Sequence, residues 1–201
     1  MKLYYFHAPM NAGKSMALLA KAYNFEERGI PFLILKSRID TRDGLDKIYS
    51  RALGSRDCVG LNPNDNAREV IKNEIIKQNK YFKWILVDES QFLTEKQVNE
   101  LSDVVDYDGI NVICYGLRTD FKTGLFEGSK RLFEIADTIE ELKTTCNCGN
   151  KAIYNARIDK NGNVTLDGEQ IEVGGNDKYL SMCRKCYFEK TKNPLYIRKC
   201  D

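Results

Sequence analysis

The sequence predicts an α/β fold: a mostly parallel sheet with helices on both faces, followed by a small zinc-bound module. Three observations predict it. Short apolar runs alternate with helix-like stretches over residues 1–142, as in parallel strands joined by crossover helices. The first strand-to-helix junction carries a phosphate-loop sequence. Two close cysteine pairs bracket a polar, glycine-containing stretch near the C-terminus.

Each element has a local reason. Residues 3–6 are an apolar run and read as the first strand. Residues 15–28 follow as a helix, with Gly29 as a C-cap and Pro31 as a stop. Residues 32–35 read as the second strand, and 37–64 as a mixed, turn-rich connection. Asp65 caps a helix to about Gln78, with Val70, Ile71, Glu74 and Ile75 giving a partial stripe. Residues 84–87 are a buried strand ending in Asp88-Glu89. Thr94 with Gln97 forms a capping-box signature for a helix to about Val105. Residues 111–115 are a further strand closed by Gly116, and 133–142 return to the sheet. After Leu142 the pattern breaks. Residues 143–190 read as the zinc-binding module, too polar for a core of its own, and 191–201 as a charged tail.

Bulk properties narrow the function. A chain of 201 residues fits one α/β domain and a small appendage. Lys+Arg 31 against Asp+Glu 29 leaves +2, so no basic excess calls for nucleic acid and no polybasic run for a membrane surface. No apolar stretch is long enough to cross a bilayer, and the chain opens on strand-like residues rather than a signal peptide. Seven cysteines without an export signal point to thiols and metal ligands in a reducing compartment, the cytoplasm.

The motifs carry the chemistry. Ala8-Pro9-Met10-Asn11-Ala12-Gly13-Lys14-Ser15 lies between strand and helix. Amides of such a loop face an anion, and the helix N-terminus adds partial positive charge. Lys14 reaches terminal phosphates, and the Ser15 hydroxyl holds Mg²⁺. The general pattern has glycine where Ala8 stands, so the loop must begin in a conformation open to a Cβ. The alternative is an ordinary strand-to-helix turn. Asp88 ends a strand as a second Mg²⁺ ligand, with Glu89 placed as general base; the alternative is a solvated carboxylate pair. Cys146-x-Cys148 and Cys183-x-x-Cys186 suit tetrahedral zinc, with Gly149 helping the chain turn; the alternative is four unrelated buried thiols. Cys58, Cys114 and Cys200 stand apart, with Cys114 in the core. His7, the only histidine, reads as packing and supports no nucleophilic triad.

Together these residues resemble the bacterial branch of the cellular-type (type II) thymidine kinases, from Leu3 to about Phe188. The likeness rests on the phosphate loop, Asp40-Thr41-Arg42, Asp88-Glu89-Ser90-Gln91-Phe92, Gly116-Leu117-Arg118-Thr119-Asp120-Phe121, Gly174-Gly175-Asn176-Asp177-Lys178-Tyr179 and the four cysteines. That branch carries alanine at the first loop position and pairs its first two cysteines as C-x-C. The resemblance implies a P-loop, RecA-like sheet and transfer of the ATP γ-phosphate to the 5′-hydroxyl of thymidine. It implies nucleotide contacts along the loop and at Asp88, Glu89, Ser90 and Gln91. It makes Glu89 the base and Arg42 the stabiliser of phosphoryl charge, both catalytic. Leu117 and Phe121 wall the thymine pocket, Tyr179 closes it, and backbone near Glu172 and Val173 reads the base edge. Homotetramers and inhibition by dTTP are further expectations, with no nucleic-acid or membrane partner. Two rival readings are a nucleic-acid-stimulated ATPase, whose acidic box Asp88-Glu89-Ser90-Gln91 resembles, and a non-enzymatic zinc-stabilised binding module. A helicase motor needs two such domains, and a binding module leaves Lys14, Ser15 and Glu89 without a purpose.

Overall fold

The structure, a computed structural model, describes residues 1–42, 44–50, 52–172, 174 and 178–191. Strand β1 (Leu3–His7) leads into helix α1 (Lys14–Glu27) and strand β2 (Phe32–Ser37). The connection that reads as turns holds three strands: β3 (Lys47–Ser50) and β4 (Gly54–Asp57) as a hairpin, then β5 (Val59–Leu61). The sequence hides them because only Ile48 and Ser50 of the hairpin are buried, so no apolar run marks it. Helix α2 (Ala67–Gln78) is capped by Asn66, whose side chain accepts the Glu69 N–H at 2.9 Å. Asp65 does not cap it, because its carboxylate accepts the Asn62 N–H at 2.7 Å.

Strand β6 (Trp84–Asp88) runs into a short 3-10 turn (Ser90–Phe92), then helix α3 (Glu95–Asp106), whose Thr94–Gln97 capping box is complete. Strand β7 (Asn111–Gly116) precedes helix α4 (Glu127–Ile135) and strand β8 (Thr138–Glu141). Helix α4 has no counterpart in the sequence reading, and only 138–141 of the predicted 133–142 return to the sheet. Short strands β9 (Thr144–Thr145), β10 (Lys151–Ala152), β11 (Tyr154–Ile158), β12 (Val164–Thr165) and β13 (Tyr179–Met182) follow, then helix α5 (Arg184–Thr191). The tail at 192–201, Cys200 included, lies outside the described residues.

Every pairing of the six-stranded sheet, in the order β5-β2-β6-β7-β1-β8, is parallel. Side chains alternate across it. Tyr5, Leu35, Val87 and Cys114 face one way, into a core with α2, α3 and α4. Ile34, Leu86 and Ile113 face the other, against α1 and Ile48 of the hairpin. Helices therefore cover both faces, as a parallel sheet requires. Every parallel strand points its carboxyl end the same way, which brings residues 8–15 and Asp88-Glu89 to one edge although β7 lies between β1 and β6.

The cysteine module departs from its reading. It holds an apolar cluster of its own, with Ala152, Tyr154, Ala156, Met182, Tyr187 and Phe188 buried around β11 and β13. The aromatics stand among charged and polar neighbours, which dilute the local composition. None of the described helices is long and apolar enough to cross a membrane.

Leu101→Ala, at a fully buried position of α3, is expected to lower the unfolding free energy by about 2–5 kcal/mol. Thr94→Ala, which removes the cap, lowers it by about 1 kcal/mol. Urea midpoints read both, and a smaller shift for Leu101→Ala than for Thr94→Ala contradicts the packing of α3 on the sheet.

Candidate active site

The loop at 8–15 starts without strain. Its left-handed residues are Asn11 (φ 59°) and Gly13 (φ 77°), not Ala8, so a Cβ fits at the first position. The Ala8 N–H donates to the Gly116 carbonyl at 3.1 Å and ties the loop to β7. Helix α1 begins with no side-chain cap and no acid in its first turn, which leaves its N–H groups facing the cavity mouth. Lys14 folds back, its ammonium 3.1 Å from the Pro9 carbonyl. Burial pulls its pKa down, while the carboxylates of Glu89 and Asp88 act the other way.

Asp88 and Glu89 stand beside it. Ser15 Oγ donates to Asp88 Oδ2 at 3.0 Å. Burial and then the neighbouring Glu89 push the Asp88 carboxyl up to about 7, against the Ser15 hydrogen bond. Glu89 itself sits at φ 51°, ψ 38°, the left-handed region, at a backbone cost of about 1 kcal/mol. That turn releases the chain from β6 and leaves the carboxylate facing the cavity. Both its oxygens are engaged: Arg42 NH2 donates to Oε1 and Gln91 Nε2 to Oε2, each at 2.5 Å. Gln91 Oε1 in turn accepts the Leu117 N–H at 2.9 Å, so this one buried amide links the acid to the cavity's apolar wall. Ser90 is fully buried against Gly116.

Arg42 is no free surface arginine. Its guanidinium spans Glu89 and Asp40, with Nε 2.7 Å from Asp40 Oδ1. Asp40 is paired again, 3.2 Å from the ammonium of Lys36, which is almost wholly buried at the end of β2. Sequence reasoning assigned no role to Lys36; a charged residue closing an apolar strand is its only signal. Burial alone would raise the Asp40 carboxyl, but the Arg42 hydrogen bonds and charge, with Lys36 behind them, hold it below the usual range.

Around these groups opens a cavity of about 920 Å³. Gly13, Lys14 and Ser15 line one end, Glu89 and Arg42 the middle, and Leu117, Phe121 and Tyr179 the other. Glu172 lines it too, while Val173 lies outside the described residues. The module reaches into this region. Asn155 of β11 accepts the Met10 N–H at 2.7 Å and donates to the Thr119 carbonyl at 3.1 Å, and Ser181 of β13 donates to the Met10 carbonyl at 2.5 Å. Neither residue carries a sequence signal. Tyr187 of α5 donates to the Phe121 carbonyl.

The four cysteines predicted as ligands converge: the sulfurs of Cys146, Cys148, Cys183 and Cys186 all lie within 4.8 Å of one another. Gly149 turns the chain at φ 87°. Backbone and side-chain hydrogen bonds from Asn150 pull the Cys148 thiol down to about 6. Cys114 is buried in the main core, and His7 packs on Tyr5 and Phe133.

A parallel sheet with one strand between its phosphate loop and its acidic strand, and both at one cavity, defines a nucleotide-binding protein of the P-loop class. The thymidine kinase family model matches residues 1–187. Thymidine kinase of Mannheimia succiniciproducens is 48% identical over 190 residues, covering 94% of this chain and 96% of that protein. Thymidine kinase of Rhodopirellula baltica is 48% identical over 183 residues, covering 91% and 86%. Thymidine kinase of Photorhabdus laumondii is 46% identical over 198 residues, covering 98% of each. The chain belongs to the thymidine kinase family, and it is a kinase.

The Asp40 pairing has a pH signature. A carboxyl held below its unfolded value of about 3.9 contributes stability that is complete above that value and lost as the pH falls through the native one. Arg42→Met removes the guanidinium, whose hydrogen bonds and charge do most to hold Asp40 down. The variant's deficit in unfolding free energy is expected to be larger at pH 7 than at about pH 3. Equal deficits at the two pH values contradict the pairing.

Proposed function

We propose that the enzyme transfers the γ-phosphate of ATP to the 5′-hydroxyl of thymidine, giving dTMP and ADP. The observation that carries this reading is the single cavity running from Lys14 and Ser15, past Glu89, to Leu117, Phe121 and Tyr179. One end suits a triphosphate and the other a flat, apolar base, with a carboxylate between them. Residues 1–142 hold the phosphates in this account, and 143–190 cover the acceptor.

The residues divide the work. The loop amides and the open end of α1 take the phosphate oxygens, and Lys14 swings from the Pro9 carbonyl to the terminal phosphates. Glu89 accepts the proton of the attacking hydroxyl. It must first release Arg42, and the freed guanidinium then meets the negative charge spreading over the transferred phosphoryl group. Gln91 keeps the other Glu89 oxygen oriented meanwhile. Leu117, Phe121 and Tyr179 hold the thymine ring, and backbone at Glu172 and Val173 reads its edge. A slot for one methyl discriminates by only about 1–3 kcal/mol, so deoxyuridine is a poorer substrate rather than an excluded one.

Two metals fit the residues present. Ser15 and Asp88 offer adjacent hard oxygens suited to Mg²⁺, which when bound neutralises phosphate charge. The cysteine sulfurs suit structural zinc, since bonds of about 2.3 Å in a tetrahedron place them about 3.8 Å apart. With four protein ligands no position is left open, so this metal holds the module rather than the reaction. The same reading extends to inhibition by dTTP, which joins the base of the product to the triphosphate of the donor. It extends also to a homotetramer, on the family resemblance, and to a cytoplasmic location, where thiols stay reduced.

Incubation with ATP, Mg²⁺ and each nucleoside, with and without single-stranded DNA, tests the reading. dTMP formation supports it; DNA-dependent ADP release without dTMP supports the rival ATPase. Glu89→Gln is expected to keep ATP binding and lose about 10²–10⁴-fold in turnover; near-normal turnover removes Glu89 from the mechanism. Metal analysis is expected to find about one zinc per chain, with chelation lowering stability. Metal-free protein of full stability contradicts the structural-zinc reading.

A further inference from the structure

One buried cation belongs to none of the roles above. Arg157, the residue before the last in β11, is 5% exposed. It does not line the cavity, yet three of the residues it contacts, Phe121, Glu172 and Tyr179, do. Its NH1 donates to the carbonyls of Asp167 and Glu169 at 3.2 and 3.3 Å. Its NH2 donates to the Tyr179 hydroxyl at 3.0 Å and pairs with Glu172 Oε2 at 2.6 Å. Its guanidinium lies 4.1 Å from the centroid of the Phe121 ring. Gly168 faces it at φ 108°, where a Cβ would overlap the guanidinium.

Residues 167–172 follow β12 and hold no helix or strand. Arg157 is not the only anchor of the chain at 167–172: the Tyr179 hydroxyl, itself held by Arg157, donates to the Glu172 carbonyl at 2.9 Å, and Lys178 Nζ pairs with Glu172 Oε1 at 2.8 Å. Lys122 Nζ reaches the Gly168 carbonyl at 2.9 Å, and Gln170 donates to Asp120 at 2.8 Å. Gln170, Ile171 and Glu172 then line the cavity. Arg157 thus sits behind this segment and fastens it at three points, while its stacking face backs Phe121 in front.

We propose that Arg157 is the positioning residue that fastens residues 167–172 over the acceptor end, and thereby sets affinity for the nucleoside without touching it. The inference rests on reading that end as the nucleoside site. A planar fork is what the geometry needs. One guanidinium serves two carbonyls, a hydroxyl and a carboxylate at fixed angles while stacking on a ring. A lysine ammonium would keep the charge but not the fork.

The test compares Arg157→Met and Arg157→Lys with the wild type in steady-state kinetics and in amide hydrogen exchange. In both variants KM for thymidine is expected to rise about tenfold or more while KM for ATP stays within about twofold. The amides of 167–172 are expected to exchange faster than in the wild type. An unchanged thymidine KM overturns the proposal, as does a parallel rise in both KM values, full recovery with lysine, or unchanged exchange. Because Arg157 is buried, Gly168→Val attacks the same contact from the segment's side and carries the test if the arginine variants fail to fold. The same split supports the proposal, and a wild-type thymidine KM overturns it. The wild type separates this inference from the one beneath it. A wild-type protein inactive on thymidine refutes the nucleoside reading, whereas an active wild type with indifferent variants refutes Arg157 alone.

Discussion

Burying a carboxylate takes its charge from water, and in this fold a chain of alternating charges compensates that loss at Glu89. Lys36, Asp40, Arg42 and Glu89 follow one another across the carboxyl edge of the sheet, each within ion-pair distance of the next. Taking any one of these charges from water alone would cost several kcal/mol. In sequence, each has partners of opposite sign, and the only terminal acid is the one facing the cavity. The first cation, Lys36, stands on a central strand with Ser37 and Leu35 buried beside it, so the chain of charges is anchored to the rigid part of the molecule. Its last acid sits on a strained left-handed turn at the end of β6. Strain at that position persists because the strand before it and the 3-10 turn after it are both packed.

The same edge explains why two distant stretches meet. In a parallel sheet the strand ends that bear loops all lie on one side, so residues 8–15 and 88–91 arrive together whatever their separation in sequence. The third party is the cysteine module. Asn155 and Ser181 grip the N–H and C=O of a single loop residue, Met10, while Asn155 also holds the Thr119 carbonyl. The loop at 8–15 and the cavity wall near Thr119 are therefore registered to one another through the strand pair β11–β13. Zinc held by the four cysteines, as proposed above, would bear on the loop through these contacts.

How much of this was legible in the sequence follows from where its signals are local. The apolar runs of β1, β2, β6 and β7, the Thr94–Gln97 box and the phosphate loop are written in consecutive residues, and they emerge as read. The β3–β4 hairpin was not legible, because its two strands bury almost nothing and periodicity has no apolar face to mark. The cap of α2 moved from Asp65 to Asn66 because the backbone N–H and side-chain amide of Asn62 claim the Asp65 carboxylate, a contest that spacing cannot decide. The module's core was missed because Tyr154, Tyr187 and Phe188 are scattered among polar residues and converge only in three dimensions. Most telling is the site. Glu89, Lys14 and the four thiols stand out in the sequence by motif and spacing, and the structure brings the first two to one cavity and the thiols to one cluster. Lys36, Asn155, Ser181 and Arg157 do not stand out, because what they do is hold other residues, and a holding role leaves no chemical signature in the residue that performs it.

That distinction bears on how a site of this kind tolerates change. In the proposed reaction Glu89, Lys14 and Ser15 are constrained by what they do to a substrate, so on that reading substitution there removes a function outright. The holding residues are constrained by geometry alone, and different side chains can meet a geometric need if the fork or the length is matched. Gln91 illustrates the limit: it must donate to an acid with one end and accept a backbone N–H with the other, within a fully packed turn. A carboxylate there would meet the Glu89 carboxylate instead of serving it, and an aliphatic side chain would leave the Leu117 N–H unpaired at a cost of about 1–3 kcal/mol. Few side chains other than a primary amide satisfy both contacts at that span. Position 91 is thus as narrowly specified as the Glu89 carboxylate it holds, although the proposed reaction gives it no chemistry of its own.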